Sequence, residues 1–219
     1  MTGLPVLIPA KGLGKAKGRL AGVLSAEERK SLALITLETV LRAAGPRAVV
    51  LTPDERVAAH VGGRGRVLLE VAGAGGLNPQ LDLAVATLMA DGTVTTRLLI
   101  LHADLPLATA GAIQTLDDLG TGANTAVLVE SGDGGTNAML LSPPGRFALE
   151  YGPGSFAKHR AAAEAAGMVV VTNQNRELTL DLDKPDDLRE LLRTPRGRQG
   201  AAGRYLQTIG MDERLRPRA

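Results

Sequence analysis

Apolar and polar positions along this chain follow two alternating rhythms. Short apolar runs bounded by Gly, Pro or Asp recur between longer stretches in which apolar residues return at helical spacing. The runs "LPVLIP" (4–9), "RAVVLT" (47–52), "RVLLEV" (66–71) and "LLIL", which leads to Asp104, predict strands. So do "NTAVLVE", "TNAMLLS" and "MVVVT". Between them the spacing predicts a helix opening at Ser25, with Leu32, Ile35, Val40 and Leu41 on its apolar side. Further helices are expected over "PDERVAAHV", over "GLNPQLDLAVATLMA" entered through Asn78 and Pro79, near 110–119, and over "SFAKHRAAAEAAG" with Gly167 as C-cap. "SAEE" is a capping box, Ser25 the N-cap and Glu28 its partner three residues on. "LTLDLDKPDDLRELL" changes from strand alternation to a helix started by Pro185.

Strands alternating with helices across short loops predict an α/β fold, one domain with a mostly parallel sheet covered by helices on both faces. No repeat period or interdomain linker is visible. The domain is expected to span 1–193, with 194–219 as a basic C-terminal tail. That tail reads first as a solvated, partly disordered terminus, and second as a segment that touches nucleic acid or an anionic surface.

Composition narrows the function. Of 219 residues, 44% are hydrophobic but only 2% aromatic, so aliphatic side chains build the core and base-stacking platforms for nucleic acid are not expected. Cysteine is absent, which excludes disulfides and thiolate metal sites and suits a cytoplasmic protein. No apolar run is long enough to span a membrane, and no charged-then-apolar leader precedes the first strand.

The candidate chemistry gathers where strands end, because ligands of open α/β sheets bind outside the carboxyl ends of the strands. After the first strand, Lys11, Lys15, Lys17 and Arg19 interleave with Gly12, Gly14 and Gly18. Glycines let backbone N–H groups approach phosphate oxygens and the cations neutralise them. The spacing is neither a Walker P-loop nor a Rossmann fingerprint, and a solvated basic loop is the alternative. Asp104 ends an apolar run, and Asp181 and Asp183 alternate so that both face one side of a strand or strand end. Brought together, the three acids need a cation, and oxygen ligands without thiols point to Mg2+. Alternatively each Asp caps a following helix, Asp183 ahead of Pro185 and Asp104 ahead of the helix after Pro106. "GDGGTNAM" and "EYGPGSFAKH" are rich in backbone donors, the latter at a helix N-terminus suited to an anion. His159 reads as a hydrogen-bonded structural residue, and no His spacing suits zinc.

Taken together, "IPAKGLGKAKGRLAGVLSAEERKSLALITLETVL", "GLN", "ADLPL", "GTNAMLL", "YGPGSFAKH" and "LDLDKPDDL" resemble the guanylyltransferases of coenzyme F-420 biosynthesis over roughly 4–192. The family includes phosphoenolpyruvate and 2-phospho-L-lactate guanylyltransferases. The resemblance implies a nucleotidyltransferase-type (Rossmann-like) fold that moves GMP from GTP onto a small phosphorylated carboxylic acid, with release of pyrophosphate. It also implies a homodimer. Carried over by position, Asp104, Asp181 and Asp183 match the metal ligands, and Asp104 and Lys17 the catalytic pair. Lys11, Lys17 and Arg19 match the basic loop that holds GTP, with Asn78 near the base. Thr136, Gly152 and Ser155 match the acceptor site. Gly18 departs from the Ser or Thr common there, and the tail after Arg193 has no recognised counterpart. The acceptor stays open among phosphoenolpyruvate, which is favoured, 2-phospho-L-lactate and 3-phospho-D-glycerate. Transfer to molybdopterin or a sugar phosphate, and a non-catalytic nucleotide sensor, are the alternatives.

Overall fold

The computed structural model of the chain describes residues 3–216. Its strands are β1 (Val6–Pro9), β2 (Ala48–Thr52), β3 (Arg66–Leu69), β4 (Leu98–Leu101), β5 (Thr125–Glu130), β6 (Thr136–Ser142) and β7 (Val169–Thr172). They form one seven-stranded sheet in the order β3-β2-β1-β4-β6-β5-β7. Only β6 runs against its neighbours, so the sheet is mostly parallel, as the alternation of elements predicts.

The central strands are apolar on both faces because both faces are covered. Val6 and Ile8 of β1 enter one core and Leu7 the other; in β4, Leu99 and Leu101 oppose Leu98 and Ile100 in the same way. The covering helices are α1 (Ala26–Ala44), α2 (Glu55–Val61), α3 (Leu77–Ala90), α4 (Ala110–Leu119) and α5 (Ser155–Ala165). Leu37 and Val40 of α1, Val57 of α2 and Ile113 of α4 fill the first core; Leu81 and Leu88 of α3 and Ala163 of α5 fill the second. The capping box at Ser25 forms, with the Glu28 N–H donating to Ser25 Oγ at 3.3 Å and the Ser25 N–H to Glu28 Oε2 at 2.8 Å. α5 ends at Ala165 with Ala166 as its cap, and the expected Gly167 takes the left-handed φ of 73° one residue past that cap.

Two expectations are corrected. "LTLDLD" is not a strand: a short helix, α6 (Arg176–Thr179), gives way to extended chain that crosses the end of β4. The alternation has no sheet edge to join, since β1 and β6 already occupy both sides of β4. The second correction concerns the basic tail. After α7 (Pro185–Arg193), the chain forms α8 (Pro195–Gln199), α9 (Ala201–Thr208) and α10 (Met211–Arg214). Ala202, Leu206, Met211 and Leu215 are buried in a third core with Leu20, Leu24, Leu32, Leu182 and Leu188. Arg214 grips Glu28 through two 2.9 Å hydrogen bonds, and the Tyr205 hydroxyl donates to the Glu28 carbonyl. The folded unit therefore continues well past Arg193. Among the described residues, no helix is long and apolar enough to cross a membrane.

Candidate active site

From β1 the sheet grows outward through β2 and β3, then resumes at β4 on the other side of β1. Loops leaving β1 and β4 thus diverge at a topological switch point, where α/β sheets open a crevice. A cleft lies there, lined by Lys11, Lys17, His102, Asp104 and Asp183 among others.

The acids are released from capping duty by other residues. Thr109 caps α4, its hydroxyl accepting from the Ala112 N–H at 3.1 Å. Asp187 accepts from the N–H groups of Asp183 and Lys184, at 2.8 and 2.6 Å, and so takes the start of α7. Leu182 is fully buried between Asp181 and Asp183, which turns both carboxylates the other way, and its N–H donates to the Asp104 carbonyl at 3.3 Å. One oxygen from each of Asp104, Asp181 and Asp183 lies within 4.8 Å of the others. The side chains expected from sequence to share a site do share one.

Two like charges ~4 Å apart repel by about 4 kcal/mol at an effective dielectric of 20, and the carboxyls register this. Burial, then Asp104 and Asp183, push the Asp181 carboxyl up to about 6. Burial also raises Asp104, but Lys17, His102 and Lys11 outweigh it and hold that carboxyl below its usual range. The buried Oδ1 of Asp104 has no hydrogen-bond partner. Three hard oxygen donors, one of them orphaned, fit Mg2+.

Lys17 adopts a left-handed backbone (φ 52°), an uncommon state for a side-chain-bearing residue, and this turn aims it inward. Its Nζ reaches Asp104 Oδ2 at 2.9 Å and Asp183 Oδ1 at 3.8 Å, with 4% of the side chain exposed. Arg19, mostly exposed, stands at the rim, 3.7 Å from Asp183 and 3.9 Å from Asp133. The loop is anchored by Asp54, whose Oδ2 accepts from the Leu13 N–H at 2.9 Å while Arg56 binds the same carboxylate through Nε and Nη2. Sequence reasoning took "PDERV" only as a helix start and missed this role for Asp54. An acid two residues past the end of β2, just after Pro53, was the available signal.

The residues matched to the acceptor also meet. Thr136 opens β6, Ser155 opens α5, both are nearly fully buried, and Ser155 Oγ lies 3.4 Å from Thr136 Oγ1. Gly152 is on the exposed rim with φ 138°. His159 has the structural role expected of it. The Glu150 N–H donates to Nε2 at 3.0 Å, so Nδ1 carries the proton and donates to Thr136 Oγ1 at 2.9 Å. Burial pushes this imidazole down to about 4, so it is neutral. Tyr151 connects the two halves, its ring 5.3 Å from that of His102 and 4.7 Å from that of His159. Asn78 is fully engaged with the same loop: its Oδ1 accepts from the Tyr151 N–H at 2.7 Å and its Nδ2 donates to the Tyr151 carbonyl at 3.0 Å. The structure thus gives the Asn78 amide to loop positioning.

This arrangement matches known proteins across the whole chain. The family model described as guanylyl transferase CofC like matches residues 4–217, so the match includes the C-terminal helices. The chain is 36% identical over 190 residues to a phosphoenolpyruvate guanylyltransferase of Sphaerobacter thermophilus, covering 84% of this chain and 90% of that protein. It is also 36% identical over 211 residues to a 2-phospho-L-lactate guanylyltransferase of Methanoregula boonei, with 93% and 87% covered. The fold matches a structure described as a nucleotide-diphospho-sugar transferase from Desulfovibrio desulfuricans, with a TM-score of 0.79 at 18% identity over 98% of this chain and 97% of that one. With a nucleotidyltransferase fold, a clustered acid site and this match, the chain belongs to the CofC-like guanylyltransferase family of nucleotidyltransferases.

Proposed function

We propose that this protein transfers GMP from GTP to the phosphate of phosphoenolpyruvate, with release of pyrophosphate, in the biosynthesis of coenzyme F-420. The observation that carries the reading is the three-acid cluster with Lys17 against it, linked through the rings of His102, Tyr151 and His159 to Thr136 and Ser155. A phosphate oxygen of the acceptor attacks the α-phosphorus of GTP. The new P–O bond forms as the bond to the β-phosphate oxygen breaks, and the electron pair leaves with pyrophosphate. The acceptor phosphate is already an anion at neutral pH, so the step needs no general base. This suits a site whose adjacent imidazoles, His102 and His159, are both pushed down by burial.

Asp104, Asp181 and Asp183 would hold Mg2+, which when bound neutralises phosphate charge. Lys17 supplies a positive charge where negative charge grows on the leaving group, and its near-complete burial makes that charge count for more than it would in water. Lys11 and Arg19 hold the outer phosphates. Thr136, Gly152 and Ser155 orient the acceptor through hydroxyl and backbone donors. Phosphoenolpyruvate is preferred because a planar enol acid suits a donor-lined site, and three relatives at 36% identity bear that name against one named for 2-phospho-L-lactate. A homodimer and a cytoplasmic location complete the reading, the first checked by light scattering.

The test is pyrophosphate release by the purified protein with GTP and Mg2+, against phosphoenolpyruvate, 2-phospho-L-lactate and 3-phospho-D-glycerate in turn. Highest kcat/KM with phosphoenolpyruvate is expected. A tenfold preference for another acid, about 1.4 kcal/mol, would replace the acceptor. Turnover with CTP, ATP or UTP in place of GTP would replace the donor.

A further inference from the structure

We infer that Glu70 selects the guanine base, its carboxylate accepting from N1–H and the N2 amino group; the inference rests on the proposed GTP site. Glu70 lines the same cleft as Lys17 and Asp104 and is half-buried there. It stands one residue past β3, its N–H bonded to the Thr52 carbonyl at 3.1 Å, so an apolar strand ends on an acid here as β4 leads to Asp104. The two acids follow strands set well apart in the sheet. The order β3-β2-β1-β4 separates their strands by three spacings, or about 14 Å at ~4.8 Å each. That distance is comparable with the reach of an extended nucleotide from its phosphates to the far edge of a purine. With the phosphates at Asp104 and Lys17, the base falls over β3. The lining of the cleft includes the apolar side chains of Leu13, Leu34, Val57 and Leu77, which suits a purine face. Lys17, the buried cation of the cleft, pairs with Asp104 and Asp183 and leaves Glu70 aside.

The chemistry of the bases makes the choice. A carboxylate only accepts hydrogen bonds. Guanine presents two adjacent donors on its pairing edge, which a carboxylate meets with two charge-assisted bonds. Adenine offers an acceptor at N1 beside its one amino group, and cytosine an acceptor at N3. Uracil has a single donor between two carbonyls. Each of the three brings a lone pair against the carboxylate, so Glu70 repels the wrong bases as well as binding the right one.

The experiment compares the full-length chain with Glu70→Ala and Glu70→Gln. Calorimetry measures affinity for GTP, ITP and ATP, and pyrophosphate release measures turnover with phosphoenolpyruvate. ITP lacks only the N2 amino group. The wild type is expected to favour GTP over ITP by roughly 10- to 100-fold, the worth of one charge-assisted hydrogen bond. In Glu70→Ala that ratio should fall to near one. In Glu70→Gln, GTP should weaken while ATP gains relative to it, because an amide can donate to adenine N1 and accept from its amino group. The ratio is read within each protein, so partial misfolding does not move it, and the near-isosteric Gln variant carries the test if the Ala variant fails to fold. No GTP-over-ITP preference in the wild type, or the same preference in both variants, overturns the assignment. Selective GTP binding lost with Glu70, but without transfer to any of the three acids, supports Glu70 and sinks the proposed reaction instead.

Discussion

Lys17 Nζ lies 2.9 Å from Asp104 Oδ2 and 3.8 Å from Asp183 Oδ1, so a buried cation leans on two of the three clustered acids. Lys17 therefore neutralises two acids and, in the proposed reaction, serves the phosphates of GTP as well. Lys17→Ala is expected to raise the KM for GTP and to lower kcat by roughly 10²–10³, the range for losing one preorganised electrostatic donor. Steady-state kinetics with both substrates varied decides it. An effect confined to the acceptor's KM would move Lys17 to the other substrate.

Asp104→Asn and Asp183→Asn keep shape and remove charge. Both should fold, by circular dichroism, and both should lose Mg2+ affinity and most turnover. The loss should exceed the roughly 10–100-fold typical of disturbing a group that merely supports a ligand. Turnover near wild type at saturating Mg2+ in either variant would remove that residue from the metal site.

Asn78→Ala cuts both hydrogen bonds to the Tyr151 backbone. Stability is expected to drop by about 1–3 kcal/mol, and the acceptor's KM to rise more than that of GTP, because the loop released is the one carrying Gly152 and Ser155. Altered nucleotide preference with an unchanged acceptor KM would return Asn78 to the base.

His159 makes stability depend on pH. Burial, followed by His102 and Lys158, lowers its pKa from 6.5 to about 4. Between these values the unfolded chain binds the proton that the folded chain refuses, so stability rises with pH across the window and is lost as pH falls from about 6.5 to about 4. The full effect is on the order of 3 kcal/mol. Urea titrations at pH 7 and pH 4.5 should show the loss, and His159→Gln should flatten this part of it.

Leu206 is fully buried in the third core, with Leu20 and Leu182. Leu206→Ala is expected to destabilise by about 2–5 kcal/mol, seen as a lower urea midpoint with unchanged slope. A smaller change than about 1 kcal/mol would mean that the C-terminal helices are not an integral layer of the fold.

The parts legible in sequence are those whose signal is local. β1 and β4 are unbroken apolar runs because both sheet faces are covered, and Ser25 and Glu28 announce α1 within four residues of chain. Asp181 and Asp183 share one side, as their alternation predicts, even though their segment is not a strand, because the buried Leu182 imposes the same alternation without a ladder. The C-terminal helices were not legible. Leu206, Met211 and Leu215 lie scattered among arginines, and their partners Leu20, Leu24 and Leu32 are far away in sequence. Asp54 was hidden for a related reason, since its claim on the Leu13 N–H crosses 41 positions. Charge density marked 194–219 as solvated, but a guanidinium such as that of Arg214 reaches outward to Glu28 while the backbone beneath it stays packed.

Leu182 belongs at once to the turn that presents two acids and to the core closed by Met211 and Leu215. That sharing sets an order of events during synthesis, when the N-terminal part of a chain emerges and folds first. The sheet can assemble while the ribosome is still translating, but the wedge that aims Asp181 and Asp183 has no seat until α9 and α10 have left the exit tunnel.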